Sequence, residues 1–316
     1  MEKLWKKAGL GAAGISMAAV MTACGGGGGG DSEDSGGSDD SGSSEESSSG
    51  GSFGEEVDYT ITGIDAGAGI MSQSEQAIED YGLSNWNLQS SSGAAMTSAL
   101  GDAIENEEPI IVTGWTPHWK FAEYDLKYLE DPEGSFGDGD DIHTVVRQGL
   151  EEDMPGAYQF LDQFQWEAEN MEEIMVEIQD GTEPAEAAAT WVDENEDMVS
   201  EWTDGVEEVD GEAIELVYVA WDSEIASTNV VGEVLTDLGY DVTLTQLEAG
   251  PMFAAVADGE ADGMVAGWFP NTHASQMEEY GDDYEDLGAN LEGAITGLVV
   301  PEYMDIDSIE DLEAEE

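Results

Sequence analysis

The chain has 316 residues, and 74 acidic residues against 6 basic ones give it a formal net charge of −68 at pH 7. Nucleic acid and anionic lipid are therefore excluded as favourable partners, because both would be repelled. Hydrophobic residues make up 40% of the chain, which indicates a folded protein with an acidic surface rather than a disordered one. Self-repulsion on this scale is relieved by salt, so the composition predicts a protein adapted to brine.

The first 23 residues read as an export signal. Lys3, Lys6 and Lys7 precede an apolar stretch, which ends in Met-Thr-Ala before Cys24. Small residues before a lone cysteine resemble a bacterial lipobox, which implies cleavage before Cys24 and lipidation of its thiol; an ordinary signal with a stray cysteine is the alternative. With a single cysteine in the chain, no internal disulfide can form. We expect an exported protein that is anchored to the cell membrane by lipid alone.

Residues 24–54 are almost entirely Gly, Ser, Asp and Glu, a composition that cannot bury enough apolar surface to fold. We expect a flexible acidic linker between the membrane and the folded part. The remainder is long enough for two lobes. The predicted division is an α/β lobe over 55–150, a helical connecting region over 151–211 and a second α/β lobe over 212–316.

The first lobe is predicted to have βαβαβ order. A strand begins at Thr60, and a Gly-rich turn leads to a helix over about 72–81. The strand NLQSS follows, then a helix with a serine at its possible N-cap and apolar residues at helical spacing, then the strand PIIVTGW. This order predicts a largely parallel sheet.

The second lobe repeats that order after a helical region over 155–203. A strand at 214–221, a helix over about 223–238, the strand DVTLTQ, a helix around 251–258 and the strand DGMVAGW are expected. The β-branched runs at 143–146 and 297–300 could pass between the lobes. Together these elements predict an α/β fold of two lobes, arranged as a hinged clamshell.

Two short segments look like copies of each other: GWTPHWK at 114–120 and GWFPNTH at 267–273. Each places a tryptophan at the carboxyl end of a predicted strand, where open α/β sheets bind ligands. Aromatic faces attract cations through the ring quadrupole. Two such faces in a chain with very few basic residues indicate a cationic small molecule as the ligand.

These motifs resemble the glycine betaine-binding proteins of ABC importers, the OpuAC-type branch of the type II periplasmic binding protein fold. The resemblance runs from Thr60 to Leu312 and includes the segments IDAGAGIMS, LQSSSGAAMTSAL, YVAWDSEIASTN, GWFPNTH and GLVVPEYMDIDSIEDL. It implies a three-tryptophan prism around a trimethylammonium group, and a histidine and two backbone amides around the carboxylate. The matching residues are Trp115, Trp221 and Trp268 for the prism, His273 for the histidine, and Gly69 and Ile70 for the amides. Phe269 stands where a leucine is more usual, and should change packing more than chemistry.

The resemblance further implies a monomeric binding protein that catalyses nothing, needs no cofactor and delivers glycine betaine to an ABC permease and its ATPase. Proline betaine, choline, carnitine and dimethylsulfoniopropionate are alternative ligands. A secreted acidic hydrolase and an adhesion or sensory domain remain alternatives outside this class.

Other candidate chemistry is weak. Three scattered histidines and one cysteine give no transition-metal ligand set, and the acidic runs lack EF-hand spacing. His118 and His143 are interpreted as structural. GAGI after a strand is a possible anion site at a helix N-terminus, but it lacks the third glycine of a dinucleotide fingerprint. The remaining tryptophans of the folded part are interpreted as core or interlobe packing: Trp86, Trp119, Trp166, Trp191 and Trp202.

Overall fold

The computed structural model describes residues 53–312. The predicted export signal, Cys24 and all but the last two residues of the predicted linker lie outside these residues. Phe53 packs against the hydrophobic core, and the Tyr59 backbone N–H donates to the Gly54 carbonyl at 2.7 Å. Residues 53 and 54 of the predicted linker therefore belong to the folded part, because the aromatic side chain of Phe53 finds apolar surface to cover.

Short strands and helices alternate in the predicted order through the first part of the chain. Helix α3 shows why: the Ser92 hydroxyl accepts from the Ala95 backbone N–H at 3.2 Å, and Met96, Leu100 and Ala103 turn one face to the core. The bounds are α1 Phe53–Glu56, β1 Thr60–Thr62, α2 Gly69–Asp80, β2 Asn87–Gln89, α3 Gly93–Asn106, β3 Val112–Thr116, α4 Lys120–Glu123 and β4 Leu126–Tyr128.

A strand and five helices follow, and the last four helices lie within the helical region predicted over 155–203. Pro155 and Pro184 occupy first-turn positions of α6 and α8, where a missing N–H breaks no helical hydrogen bond. The bounds are β5 Asp140–Arg147, α5 Leu150–Asp153, α6 Pro155–Gln163, α7 Ala168–Gln179, α8 Pro184–Glu194 and α9 Glu196–Trp202.

The last part repeats the strand–helix alternation. Helix α10 is buried on most of its surface because it lies between the strands and the helices α7 and α8. The bounds are β6 Ala213–Tyr218, α10 Asp222–Asp237, β7 Asp241–Gln246, α11 Ala249–Ala257, β8 Gly263–Phe269, α12 Ala274–Tyr280, β9 Tyr284–Pro301 and a 3₁₀ turn at Ile309–Asp311.

The described strands form one sheet in the order β2-β1-β3-β9-β5-β8-β6-β7, with β4 also paired to β9. Strand β1 is parallel to β2 and β3, and β6 is parallel to β7 and β8, which confirms the predicted βαβαβ order on both sides. We call β1–β4 with residues 295–301 of β9 the first half-sheet. We call β5–β8 with residues 284–294 of β9 the second half-sheet.

Strand pairing does not follow the predicted division at residue 150. Strand β5 falls in the range predicted for the first lobe, yet it pairs antiparallel with β8 and β9 in the second half-sheet. Strand β9 pairs with β5 through its first part and with β3 and β4 through its last. Of the two β-branched runs expected to cross, the one at 297–300 lies in this crossing strand, whereas the one at 143–146 stays within the second half-sheet.

No helix within residues 53–312 is both long and apolar enough to cross a membrane.

Candidate ligand-binding site

One cavity lies between the two half-sheets and brings together five of the residues singled out in the sequence. It holds about 290 Å³ of empty space, which includes space open to solvent. The gap between the lining side chains is narrow, so only a small molecule fits it. The lining residues are Ile64, Gly69, Ile70, Trp115, Trp221, Trp268, Thr272 and Thr296.

The three tryptophans of the cavity lie at carboxyl ends of strands. Trp115 lies near the end of β3, Trp268 near the end of β8, and Trp221 caps α10 just after β6. They come from both half-sheets, and each side chain is buried. The peptide bonds before Pro117 and Pro270, which follow the two repeated tryptophans, are both cis.

Polar side chains hold the edges of all three indoles. Trp268 Nε1 donates to Glu224 Oε1 at 2.8 Å, and Trp115 Nε1 donates to Ser223 Oγ at 3.1 Å. Ser223 Oγ in turn donates to Glu224 Oε2 at 2.6 Å, so one carboxylate fixes two walls. Because the single donor of each indole is engaged at its edge, the ring faces stay available to a ligand.

The third indole is also held at its edge by a carboxylate. Trp221 Nε1, after β6, donates to Asp65 Oδ2, after β1, at 3.2 Å. The hydrogen bonds Trp115–Ser223 and Trp221–Asp65 both join the two half-sheets. The sequence analysis missed the roles of Asp65, Ser223 and Glu224. The only sequence signal for Ser223 and Glu224 was position, since they lie two and three residues after Trp221, a predicted cavity tryptophan.

Glu224 is a fully buried carboxylate beside the cavity. Burial raises its pKa, and hydrogen bonds from Ser223 and Trp268 act in the opposite direction. Its ionised form would add negative charge next to the aromatic walls.

The N-terminus of α2 faces the cavity at Gly69 and Ile70. Backbone N–H groups in the first turn of a helix have no intrahelical acceptor, so they are suited to binding an anion. A Cβ at position 69 would collide with the Thr272 carbonyl. Glycine therefore allows α2 of one half-sheet to approach the segment after β8 of the other.

Buried hydrogen bonds fix that segment after β8. The Asp140 carboxylate accepts from the Asn271 backbone N–H at 2.6 Å and from Thr272 Oγ1 at 2.6 Å. Gln73 Oε1, on α2, accepts from Thr296 Oγ1 at 3.1 Å. These contacts position two of the lining residues, Thr272 and Thr296, that carried no distinguishing sequence signal.

His273 lies beside the cavity but does not line it. Its ring is fully buried, with its centroid 6.4 Å from that of Trp221 and 5.0 Å from that of Phe253. Nδ1 accepts from the Trp268 backbone N–H at 3.0 Å, which assigns the proton of the neutral ring to Nε2. Burial lowers the pKa of His273 to about 3, so the ring is neutral at ordinary pH. Nε2 has no hydrogen-bond partner within the described part of the chain.

Lys120 is a buried cation next to the same site. Its Nζ lies 4.4 Å from the ring centroid of Trp115 and, among residues 53–312, has no hydrogen-bond acceptor. Burial lowers the pKa of Lys120 to about 7, and the nearby Asp222 carboxylate opposes that shift. The sequence analysis assigned no role to Lys120, which ends the GWTPHWK segment.

His118 has the structural role expected of it. Its buried Nδ1 accepts from the Lys120 backbone N–H at 3.1 Å, and Nε2 lies 3.5 Å from Asp222 Oδ2. His143 pairs with Asp286 in the second half-sheet at 2.8 Å. Within residues 53–312, no group of three or more His, Cys, Asp or Glu side chains is arranged to hold a metal ion.

Comparison with known proteins places the chain in a family. The family model described as the substrate binding domain of ABC-type glycine betaine transport system matches residues 43–194 and 212–316. The glycine betaine/carnitine transport binding protein GbuC of Listeria monocytogenes serotype 1/2a (strain 10403S) is 58% identical over 262 residues, which is 82% of this chain and 87% of that protein. The chain belongs to this family.

Solved structures of similar proteins include two with bound ligands. The lactococcal OpuAC in its closed-liganded conformation with glycine betaine is 45% identical, with a TM-score of 0.45 over 48% of this chain and 61% of that one. A choline binding protein of an ABC transporter, in complex with choline, is 26% identical, with a TM-score of 0.41 over 48% of this chain and 55% of that one. Both matches span less than two thirds of the solved chain.

The family confirms the main predictions from the sequence. The chain is an extracytoplasmic substrate-binding protein of an ABC-type glycine betaine transport system, and its fold is α/β, as predicted. It works with the other components of the transporter. Its relatives are transport proteins and not enzymes, which leaves the hydrolase alternative without support.

Proposed function

We propose that the cavity binds glycine betaine, with its trimethylammonium group between Trp115, Trp221 and Trp268. The observation that carries this proposal is the set of three indoles around one small cavity, each held by its Nε1 and not by its face. A quaternary ammonium cannot donate hydrogen bonds, and it is weakly hydrated. Aromatic faces attract it at roughly 0.5–2 kcal/mol per contact without a dehydrated counter-ion.

We propose that the ligand carboxylate is held by neutral donors. Gly69 and Ile70 offer backbone N–H groups at the start of α2, and the neutral His273 ring carries its proton on an Nε2 that has no partner within the described chain. Because His273 does not line the cavity, its contact with the carboxylate requires a small adjustment around Thr272 or an intervening water.

Carnitine is the second candidate, since the Listeria relative is named for both compounds. Carnitine carries the same trimethylammonium group and a carboxylate, separated by a longer chain. The narrow gap between the lining side chains favours the smaller ligand.

Titration of the purified protein tests the proposal. We expect glycine betaine to bind at one site with roughly micromolar affinity and to change tryptophan emission, because the ligand would lie between indoles. Carnitine should bind more weakly. Absence of both heat and an emission change with glycine betaine would remove the proposal, and tighter binding of carnitine would reassign the ligand.

We infer that Cys24 carries a lipid anchor and that the protein is a monomer. The lipobox-like sequence before Cys24 supports the anchor. In a bacterial host, the wild type should fractionate with membranes, and Cys24→Ser should be released into the soluble fraction. Equal membrane association of both would contradict the anchor, and a dimeric mass of the released protein would contradict the monomer.

We infer that the protein is adapted to high salt. The charge of −68 is the supporting observation. The melting temperature should rise steeply between low and molar KCl as salt screens surface repulsion. Affinity for glycine betaine should change much less, because the ligand has no net charge. A melting temperature independent of KCl would rule out this adaptation.

A further inference from the structure

Lys120 packs against Trp115, a wall of the cavity, but does not line the cavity itself. The lysine side chain is completely buried and does not line the cavity, whereas the indole does. Nζ lies over the indole at 4.4 Å and near the ring of Phe121 at 5.1 Å. An ammonium over the indole face that points away from the cavity would be separated from a bound ligand by the ring.

The surroundings of Lys120 leave its charge poorly compensated. On β3, Gly114 lies beside its aliphatic stem and contributes no charge. The Asp222 carboxylate, at the start of α10, is engaged by Trp119 Nε1 at 2.9 Å and by His118. A lysine packed on two aromatic rings, without a direct anionic partner, is an unusual use of a buried cation.

We propose that Lys120 is a specificity-determining residue, whose ammonium behind Trp115 disfavours ligands of net positive charge relative to zwitterions. The inference rests on the proposed function, since it takes the trimethylammonium group to lie on the cavity side of the same indole. It concerns a residue that does not touch the ligand.

Coulomb's law sets the size of the effect. With Nζ 4.4 Å from the ring centroid and a ligand cation within about 6 Å of the centroid on the other side, the two charges are roughly 10 Å apart. At an effective dielectric constant of about 20, repulsion at that distance weakens binding by on the order of tenfold. The carboxylate of a zwitterion is attracted by the same ammonium and offsets most of this penalty. Choline has no carboxylate, so it bears the penalty in full.

The charge of Lys120 changes in an experimentally convenient range, because burial brings its pKa to about 7. Burial and, to a smaller extent, the nearby Lys120 charge lower the pKa of His118 to about 4. Burial alone would raise the pKa of Asp222, but its bonds to His118 and Trp119 hold it below the ordinary value. Neither group changes charge between pH 6 and 9.

Three other titratable groups face this region. Burial raises the pKa of Tyr128, whose ring is stacked on Phe121, away from the neutral range. Burial also raises the pKa of Glu172, which accepts from the His118 backbone, and of Glu224. Deprotonation of either glutamate would favour cations as the pH rises, so these two must be separated from Lys120 by mutation.

The experiment compares choline with glycine betaine by isothermal titration at constant KCl from pH 6 to pH 9. The measured quantity is the ratio of the choline Kd to the glycine betaine Kd. In the wild type we expect this ratio to fall by about tenfold as Lys120 loses its proton. In Lys120→Met the ratio should be low at every pH. Lys127→Met is the matched control, because Lys127 is a lysine of the same half-sheet that pairs with Asp307 at 2.6 Å, and it should behave like the wild type.

Glu172→Gln and Glu224→Gln complete the design. Both should retain the pH dependence of the ratio, which also keeps the test valid if Lys120→Met does not fold. Loss of the dependence in either glutamine variant, or its survival in Lys120→Met, overturns the proposal, as does a flat ratio in the wild type. If glycine betaine itself does not bind, the proposed function fails first and this inference fails with it.

Discussion

The two Gly-Trp-x-Pro segments carry different basic residues at the same position. Counted from the glycine, the seventh residue is Lys120 in the first segment and His273 in the second. Both side chains are fully buried next to a cavity tryptophan, and each has a nitrogen without a hydrogen-bond partner among the described residues. Burial lowers the pKa to about 7 for Lys120 and to about 3 for His273. The first segment thus holds a group that can be charged near neutral pH, and the second holds a neutral donor.

This comparison separates the features that the two segments share from the feature in which they differ. The tryptophan and the cis-proline turn recur, and both tryptophans form cavity walls. The basic residue behind the wall has diverged. The register also shows that Lys120, and not His118, is the counterpart of His273: the His273 ring accepts from the Trp268 backbone, whereas the His118 ring accepts from the Lys120 backbone.

Removing either repeated tryptophan should have the largest effect. We expect Trp115→Ala and Trp268→Ala each to weaken glycine betaine binding by about 1–3 kcal/mol through lost cation–π contact and packing. Trp268→Ala should be the more severe, because it also leaves the buried Glu224 without its indole donor. Phenylalanine at either position should weaken glycine betaine binding less than alanine does.

Isothermal titration of the four variants measures this difference. Trp191→Phe is the control, since Trp191 is buried among helices, stacked on Trp202 at 6.0 Å, away from the cavity. Unchanged affinity in both alanine variants would show that the two segments do not form walls of the site. Trp221→Ala extends the series to the third indole and should fall in the same range.

The order of strands and helices could be predicted from the sequence, but the pairing of the long strands could not. Alternating apolar runs and turns identify βαβαβ units on both sides. The β-branched runs in β5 and β9 do not specify which neighbour each strand takes, because a buried strand has the same pattern beside any partner. The predicted boundary at residue 150 therefore separates β5 from the half-sheet to which it hydrogen-bonds.

The aromatic part of the site was accessible from sequence, and its supporting polar residues were not. Trp115 and Trp268 stood out as rare residues at strand ends, and the family resemblance added Trp221. Asp65 and Glu224 could not stand out among 74 acidic residues, although they hold the indoles in place. Burial, which gives Glu224 and Lys120 their importance, becomes visible only in three dimensions.

Replacing His273 should have the next largest effect and should distinguish ligands. His273→Ala should weaken glycine betaine binding by about tenfold, because it removes a neutral donor from the carboxylate. Choline, which lacks the carboxylate, should lose much less. Since burial keeps the His273 pKa at about 3, the wild-type affinity for glycine betaine should owe no pH dependence to this ring above pH 5.

Paired titrations with the two ligands check this prediction. His143→Gln is the control, because His143 pairs with Asp286 on a strand and does not line the cavity. Equal losses for glycine betaine and choline would mean that His273 supports the Trp268 wall and that the carboxylate is held elsewhere.

Replacing Lys120 should have the smallest effect and should act on stability with a definite sign. The pKa of Lys120 is about 7 in the folded protein against an ordinary value of 10.5, so the folded state binds fewer protons than the unfolded state between these values. The free-energy cost of burying the charged ammonium has its full value below pH 7 and disappears as the pH rises toward 10.5. Lys120→Met keeps the length of the side chain and removes the charge. It should therefore raise the melting temperature at pH 6 by about 2–5 °C, and the gain over wild type should shrink steadily toward pH 10.

Thermal melts of the wild type and the variant at the same pH and fixed molar KCl isolate the effect of the Lys120 charge on stability. All other titratable groups are common to both proteins. Lys127→Met should show no gain at pH 6, since Lys127 lies at the surface and its charge is paired with Asp307. A Lys120→Met protein that is less stable than wild type at pH 6 would mean that the ammonium is well accommodated by Trp115 and Phe121. A gain that does not depend on pH would mean that Met simply packs better, and the contrast between the two segments would then be one of shape and not of charge.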